Sequence, residues 1–214
     1  MIDELKIKTI TEIKLQRCEG PVTNNLPRGM RVDGNLIFDY NPDLIKAPDD
    51  LLVNGSCSFR ACDNLKHVSE NLIVKDSLLI QYCQNITELP KGMIVYRLFL
   101  SANKNLNKIA EDISVRLLSM RGCVNINKLP KAFAGRSMVF LDIKNSAIDE
   151  IPDGMNLELL NIEGCRSIQD LPQSLTVIDE VVYNADTGFA SDKKKIKELK
   201  QRFRMRFARN RRWR

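Results

Sequence analysis

The chain has 214 residues, of which 43% are hydrophobic and 28% charged, a composition typical of a folded, soluble protein with one core or one stack of repeats. It has a single histidine and no run of 18 apolar residues, which disfavours most metal and acid–base enzymes and argues against a transmembrane helix. The net charge of +6 is unevenly placed, because residues 191–214 hold twelve Lys or Arg and two Asp or Glu and thus carry +10, which leaves −4 for the rest.

The N-terminal segment, Met1–Ile13, mixes charged and apolar residues. It lacks the basic start and apolar run of a secretory signal, so we expect no signal peptide. The six cysteines are therefore expected to be reduced thiols in a cytoplasmic compartment.

A first phrase, apolar–Pro–x–x–apolar–x–Val, recurs about every 20 to 23 residues. Its copies begin at Leu26-Pro27, Ala47-Pro48, Leu89-Pro90, Leu129-Pro130, Ile151-Pro152 and Leu171-Pro172. Two more copies, at Val68-Ser69 and Ile109-Ala110, replace the proline with a small residue. Six of the eight prolines occupy this one slot, so the recurrence is a structural repeat.

A second phrase, apolar–x–apolar–x–x–Cys/Asn–x–x–Leu/Ile, follows each first phrase. Its apolar pairs are Ile13/Leu15, Leu36/Phe38, Cys57/Phe59, Leu78/Ile80, Leu98/Leu100, Leu118/Met120, Leu141/Ile143, Leu160/Ile162 and Val181/Tyr183. The corner slot three residues after each pair holds Cys18, Asn41, Cys62, Cys83, Asn103, Cys123, Ser146, Cys165 and Asp186. The first and last of these copies are degenerate.

The spacing of the second phrase predicts a short strand, because apolar residues two positions apart lie on the same face of a strand. Successive copies are expected to stack in parallel, each covering the apolar face of its neighbour. The proline phrase then returns the chain along the outer side. Repeats of about 20 residues leave room there only for short extended or 3-10 segments.

These phrases resemble the leucine-rich-repeat family from about Ile13 to Tyr183, some four-fifths of the chain. The proline-containing return is similar to the short type of bacterial effectors and phage-encoded proteins, and the Cys-x-x-Leu/Ile corner is similar to the cysteine-containing class. The resemblance implies a leucine-rich-repeat solenoid of eight or nine repeats over residues 1–190, with a parallel β-sheet on its concave side. It implies a cytoplasmic binding scaffold, or one in a host cell or virion if the source is an effector or a phage.

The cysteines are expected to be buried packing thiols that form a ladder with asparagine at the corner slot. A metal site is disfavoured, since ladder cysteines lie one or more repeats apart and not in Cys-x-x-Cys pairs, and no cofactor is expected. A disulfide between Cys62 and Cys83, on neighbouring repeats, stays open.

Residues within and just after each apolar pair are expected to face the concave side. There the N-terminal half presents an apolar and aromatic cluster with arginines at its border, a pattern that marks protein interfaces. The candidate partner-binding residues are Ile37, Tyr40, Arg60, Leu79, Tyr82, Phe99 and Arg121. The alternatives are that the solenoid simply tolerates these residues, or that the tail folds over them.

Residues 191–214 predict a basic amphipathic C-terminal helix or tail, with Ser191 or Asp192 as its N-cap. The apolar residues that would share one helical stripe are Ile196, Leu199, Phe203 and Phe207. The basic side chains available to nucleic acid or another anionic surface, with one aromatic, are Lys193, Lys194, Lys195, Lys197, Arg202, Arg206, Arg209, Arg211, Arg212, Trp213 and Arg214.

Three roles for this segment stay open. In the first, the apolar stripe covers the open end of the solenoid. In the second, the basic residues neutralise nucleic-acid phosphates while Trp213 stacks on a base. In the third, which is less favoured, the helix lies on an anionic membrane or in a partner's groove.

The chain shows no Ser/His/Asp constellation, phosphate loop or metal-ligand spacing, so we expect that it is not an enzyme. The leading expectation is a scaffold that binds a protein partner through the solenoid surface. The alternative is a nucleic-acid-associated component of a virion or nucleoprotein assembly, anchored by the basic tail. Oligomerisation stays open, because solenoids also associate through strand edges.

Overall fold

In a computed structural model, which describes residues 12–14 and 26–208, the chain is a parallel β-solenoid of about eight turns with one C-terminal helix. Successive turns contribute strands to a 12-stranded sheet, and all the paired strands of the described residues run parallel. The predicted parallel stacking of short repeats is therefore confirmed.

In chain order the strands are β1 (Glu12–Lys14), β2 (Arg31–Val32), β3 (Asn35–Ile37), β4 (Leu52–Val53), β5 (Cys57–Arg60), β6 (Ile73–Gln81), β7 (Glu88–Leu89), β8 (Ile94–Phe99), β9 (Lys108–Ile109), β10 (Ser114–Ser119), β11 (Ser137–Asp142), β12 (Asn156–Asn161), β13 (Thr176–Tyr183) and β14 (Met205–Phe207). The main sheet has the order β1-β3-β5-β6-β8-β10-β11-β12-β13-β14, and β2 and β4 join it beside β6. Strands β7 and β9 form a separate pair.

Each long strand buries side chains from both phrases of the repeat. In β8, Val95 and Leu98 are buried in the core, as is Leu100 directly after the strand. The valine of the first phrase therefore begins the sheet strand, whereas the sequence pattern had placed it in the outer return. Val74 and Leu78 of β6 pair with Val95 and Leu98, and a bulge in β6 absorbs the one-residue difference in their spacing.

Beyond seven sheet strands (β3, β5, β6, β8, β10, β11 and β12) the chain turns inward through a residue with positive φ. These residues are Tyr40, Ala61, Tyr82, Ala102, Gly122, Asn145 and Gly164. The left-handed region is unusual for a tyrosine, yet Tyr40 and Tyr82 have φ values of 57° and 60°. Their amides still donate to the next turn, at 2.7 Å to the carbonyl oxygen of Arg60 and 3.2 Å to that of Ser101, so inter-turn hydrogen bonding continues through the corner.

A ladder of polar side chains and thiols closes each corner on the inside, as the corner slot predicted. The Cys83 thiol donates to the carbonyl oxygen of Phe59 at 3.0 Å, and the Asn103 amide donates to that of Ile80 at 2.6 Å. The same contact is made by Cys62, Cys123 and Cys165. The proposed first member of the ladder, Cys18, lies outside the described residues.

The last member of the ladder is Thr187, whose hydroxyl donates to the carbonyl oxygen of Ile162 at 3.0 Å. The sequence register had assigned this slot to Asp186, which is exposed instead. The final corner is one residue longer than the others, so the side chain that reaches the buried carbonyl is displaced by one position.

A second ladder runs along the surface, two residues after the corner slot. The amide groups of Asn64, Asn85, Asn105 and Asn125 each donate to a carbonyl oxygen of the preceding turn at 2.7 to 2.8 Å. This ladder was not predicted, although its signal, asparagine directly before the Leu or Ile of the second phrase, is visible in the sequence.

The outer return consists of short segments, as predicted. It contains turns, the two-residue strands β7 and β9, an isolated bridge between Lys46 and His67, and a 3-10 turn at Lys131–Phe133. The prolines of the first phrase suit these segments because they need no amide donor.

The C-terminal helix α1 spans Lys193–Arg202 and begins at Asp192, whose carboxylate accepts a hydrogen bond from the amide of Lys195 at 2.9 Å. Leu199 and Phe203 are buried in the main core. The predicted covering of the solenoid end by the apolar stripe is thus observed for these residues.

The predicted stripe is wrong at its last member. The helix ends at Arg202, Phe203 is extended, and Phe207 belongs to β14, which pairs in parallel with β13. After the helix the chain adds one more strand to the sheet because Met205 pairs with Val181 and packs against the core.

Candidate functional site

The outward face of the main sheet carries an apolar stripe, which we define as Leu79, Phe99, Leu117, Phe140 and Leu159. These side chains are half-buried, but they neither belong to the core cluster nor pack against it. Backbone register places Leu79 beside Phe99, and Leu117 beside Phe140, which in turn neighbours Leu159. Phe99 and Leu117 lie diagonally on β8 and β10. The stripe therefore crosses five consecutive strands, a span of about 19 Å at normal strand spacing.

Three predicted residues lie on this face, as their period-2 positions required. Leu79 and Phe99 are direct neighbours within the stripe. Ile37 is separated from Leu79 by the buried Ser58 of β5. The apolar cluster is therefore continuous from Leu79 onward, with Ile37 as an outlying member.

The two predicted tyrosines stand at the edge of the face, in the positive-φ turns. Tyr40 and Tyr82 are 56% and 57% exposed, and Ala61 occupies the turn between them. They are thus two turns apart, about 10 Å, and both rings are accessible.

The two predicted border arginines differ, because only Arg121 forms an ion pair with another of the described residues. Arg60 is exposed at the end of β5. Arg121 forms an ion pair with Asp142, whose side chain is fully buried on the sheet face and also lies 3.5 Å from the Ser119 hydroxyl. The role of Arg121 in the structure is therefore to neutralise a buried carboxylate, although its guanidinium remains half exposed.

The sequence pattern missed other members of this surface. Leu117, Phe140 and Leu159 occupy the position directly before each inward pair, which neither phrase of the sequence pattern included. Ile94 and Tyr96, near the start of β8, are 53% and 49% exposed. These residues could have been located if the valine of the first phrase had been assigned to the same strand as the apolar pair of the second phrase. The residues between the valine and the pair then also belong to the sheet.

The basic residues of the C-terminal segment have separate roles. Lys195 pairs with Asp170 and Glu198 at 2.8 and 3.2 Å, and Arg206 pairs with Glu180 at 2.8 Å. Arg202 donates to the carbonyl oxygens of Leu171 and Pro172 and thereby ties the helix to the last turn.

Three lysines of the predicted set are different. Lys193, Lys194 and Lys197 are exposed and form no ion pair with another described residue. The remaining predicted residues, Arg209, Arg211, Arg212, Trp213 and Arg214, lie outside the described residues.

The five described cysteines are buried and unbridged. Burial raises the pKa of the Cys123 thiol to about 11, and it raises the pKa values of Cys57 and Cys165 as well. The pKa of Cys83 is raised by its contact with Cys62 and by burial. The pKa of Cys62 is instead lowered by its side-chain hydrogen bond with Cys83. The other four thiols are neutral and enclosed, hence poor nucleophiles, and Cys62 is buried in the same ladder, so all five act as packing and corner residues. No cluster of His, Cys, Asp and Glu in the described residues is arranged to hold a metal ion.

The outer return carries a groove of about 910 Å³ beside β7 and β9, lined mainly by charged residues. Two of its lysines pair with carboxylates of the groove, Lys46 with Asp49 at 2.8 Å and Lys108 with Glu88 at 3.5 Å. His67 lies here, far from the ladder thiols in the repeat. The groove lining has three lysines and five carboxylates, so its charge is net negative, and it contains no Phe, Tyr or Trp that could anchor a partner.

Within residues 12–14 and 26–208, no helix is both long and apolar enough to span a membrane. Comparisons of the chain with protein-family models, with characterised proteins and with solved structures gave no match.

Proposed function

We propose that this chain is a non-enzymatic scaffold that binds a protein partner through the outward face of its main sheet. The observation that carries the proposal is the apolar stripe, since five consecutive strands present apolar side chains on the face opposite the core. Apolar side chains placed side by side on a rigid surface and bordered by polar groups are typical of interfaces.

The border of the stripe supports a protein partner in particular. Tyr82 and Tyr96 stand near its N-terminal half with about half of each side chain exposed, and aromatic residues of this kind act as anchors in protein interfaces. The backbone beneath them is held by inter-turn hydrogen bonds, so little conformational entropy is lost when a partner docks. The partner that fits is a protein with a largely apolar patch rather than a highly charged one.

A pull-down from the native source with three versions of the full chain tests this proposal. The versions are the wild type, a double variant Tyr82→Ala/Phe99→Ala, and a control Ile45→Ala/Val124→Ala that removes two exposed apolar side chains outside the face. A protein retained by the wild type and the control should be lost from the double variant, because truncating interface anchors typically costs about 2 kcal/mol or more each. Retention of the same proteins by all three versions contradicts the proposal.

We also propose that the solenoid is of the leucine-rich-repeat class. The support is the combination of one sheet strand per turn, short returns with proline, and a corner ladder in which Asn103 and four thiols donate to the preceding turn. A parallel β-helix shares the stacked strands, but its turns form flat sheets without one dominant concave side. Small-angle X-ray scattering distinguishes the two classes. Scattering that fits an arc-shaped particle supports the leucine-rich-repeat class, and scattering that fits a straight rod contradicts it.

A further inference from the structure

A cleft of about 390 Å³ lies between helix α1 and the last two strands of the sheet. Its apolar part is formed by Tyr183 of β13, Ile196 of the helix and Phe207 of β14. Its rim is formed by Lys193, Lys197 and Lys200. We propose that this cleft binds single-stranded nucleic acid, with a base on Phe207 and the backbone phosphates along the three lysines.

The rim lysines are placed as a row of cations. They lie at positions i, i+4 and i+7 of the helix and so share one face, spread over about 10 Å along its axis. All three are exposed, and none forms an ion pair with another described residue. Lys195, on a different face, is already neutralised by Asp170 and Glu198. Three of the four helix lysines that form no ion pair with a described residue therefore border the cleft, and these three cations favour an anionic ligand.

The aromatic part of the cleft is held in place. Phe207 is 50% exposed, and its ring meets that of Tyr183 nearly perpendicularly, with a centroid distance of 5.3 Å. Tyr183 is itself buried, and the centroid of its ring lies 5.9 Å from that of the Phe189 ring. A supported, half-exposed ring beside a row of cations is the combination with which proteins bind single strands irrespective of sequence.

The dimensions and burial favour this ligand over other anionic surfaces. A cleft of 390 Å³ admits a nucleotide-sized group, whereas a duplex has no unstacked base to insert. An anionic membrane would require a free apolar face on the helix, but Leu199 and Phe203 are buried in the core. The sequence that follows Phe207 is also basic, with four arginines and Trp213 within residues 209–214.

Fluorescence anisotropy with a labelled single-stranded oligothymidylate and an oligouridylate tests the proposal on the full chain. The key variant is Lys193→Ala/Lys197→Ala/Lys200→Ala, and its control, Lys66→Ala/Lys104→Ala/Lys131→Ala, removes the same charge from exposed positions on the solenoid. The cleft variant should bind at least tenfold more weakly than the control. Its salt dependence, as the slope of log K against log salt, should be shallower by about 2 because three phosphate contacts are lost.

A second pair of variants separates stacking from charge and from folding. Phe207→Leu keeps an apolar side chain but removes the ring, and should weaken binding about tenfold, whereas Phe207→Trp should preserve it. Equal circular dichroism and thermal unfolding of the variants show that the fold is intact.

Three results overturn the proposal. The first is equal affinity of the cleft variant and its lysine control, and the second is equal affinity of Phe207→Leu and wild type. The third is cleft-dependent binding of a polyglutamate peptide or phosphatidylserine vesicles in the absence of binding to either oligonucleotide, which would assign the cleft to another anionic partner.

Discussion

The hydroxyl group of Thr187 donates a hydrogen bond to the carbonyl oxygen of Ile162. In the last turn it thereby completes the ladder that cysteine and asparagine form in earlier turns. The three side chains differ in chemistry but share small size and a donor that reaches the carbonyl oxygen of the preceding strand. The ladder therefore selects for a donor at a fixed place, and the strength of that donor should determine how much each turn contributes to stability.

Asn103→Ala should be among the most destabilising changes in the chain. Its amide donates to the carbonyl oxygens of Ile80 and Leu100, and its side-chain oxygen accepts from the amide of Cys83 at 2.9 Å. Losing these buried contacts should lower the free energy of unfolding by about 3 kcal/mol. Urea unfolding measures this, and Asn105→Ala, which removes one exposed contact, should cost less than about 1 kcal/mol. Equal decreases in the free energy of unfolding for the two variants would show that the inner ladder stabilises the fold no more than the surface ladder does.

Arg121→Ala should destabilise the protein more than an exposed arginine does. The side chain of Asp142 is fully buried, and removing its partner leaves an uncompensated carboxylate. Because Arg121 is 54% exposed, we expect a loss of about 1 to 2 kcal/mol, below that of a fully enclosed pair. The double variant Arg121→Ala/Asp142→Asn should recover part of this loss in thermal or urea unfolding. If the double variant is less stable than Arg121→Ala, the carboxylate is not the source of the cost.

Stability should fall at acid pH through carboxylates that pair with basic side chains. The side-chain hydrogen bond from Arg97 lowers the pKa of Asp76, and that from Lys46 lowers the pKa of Asp49. A carboxyl group whose folded pKa lies below its unfolded value stabilises the fold above the unfolded pKa of about 4, and this contribution is lost as pH falls through the folded pKa. Asp49→Asn/Asp76→Asn should therefore be less stable than wild type at pH 7 and nearly equal to it at pH 2.5.

The control for this pH dependence is Asp179→Asn, which replaces an exposed acid on β13. Urea unfolding of the three proteins at both pH values gives the comparison. If the double variant is still less stable than wild type at pH 2.5, the difference in the free energy of unfolding comes from packing rather than from ionisation.

Thiol labelling should distinguish the native protein from the unfolded protein at the described cysteines. Cys57, Cys62, Cys83, Cys123 and Cys165 are buried, so iodoacetamide at pH 8 should reach and modify them only on unfolding. The raised pKa values of Cys57, Cys83, Cys123 and Cys165 further favour their unreactive neutral form. Mass spectrometry of tryptic peptides reads out each site, and labelling in urea serves as the positive control. Rapid modification of Cys123 in the native protein would contradict its place in the ladder.

The solenoid could be predicted from the sequence because each of its requirements repeats. Proline marks the return, the apolar pair marks the strand, and Cys or Asn marks the corner, so the weak signal of each copy adds to the others. The valine of the first phrase was assigned to the wrong segment because two outward residues separate Val95 from the inward pair of β8, which breaks strict alternation. Without that valine in the strand, the outward positions of Leu117, Phe140 and Leu159 could not be seen.

The end of the chain was harder to predict for a different reason. Phe207 has the spacing of a helical stripe, but the helix ends at Arg202, because strand pairing of Met205 with Val181 outweighs continued helix formation. Competition between strand pairing and helix formation depends on tertiary contacts, so the local spacing of apolar residues does not reveal it. The cleft exists only because of this change of direction, so the lysine row and Phe207 could not be recognised as neighbours from spacing alone.

The most direct test of the proposed binding face is photo-crosslinking in the native source with a photoreactive amino acid at one position at a time. From positions 82 and 99 the full chain should crosslink to one and the same polypeptide, and from position 124, an exposed apolar site outside the face, it should not. Crosslinks from position 124 that match those from 82 and 99, or none from the face, would contradict the account.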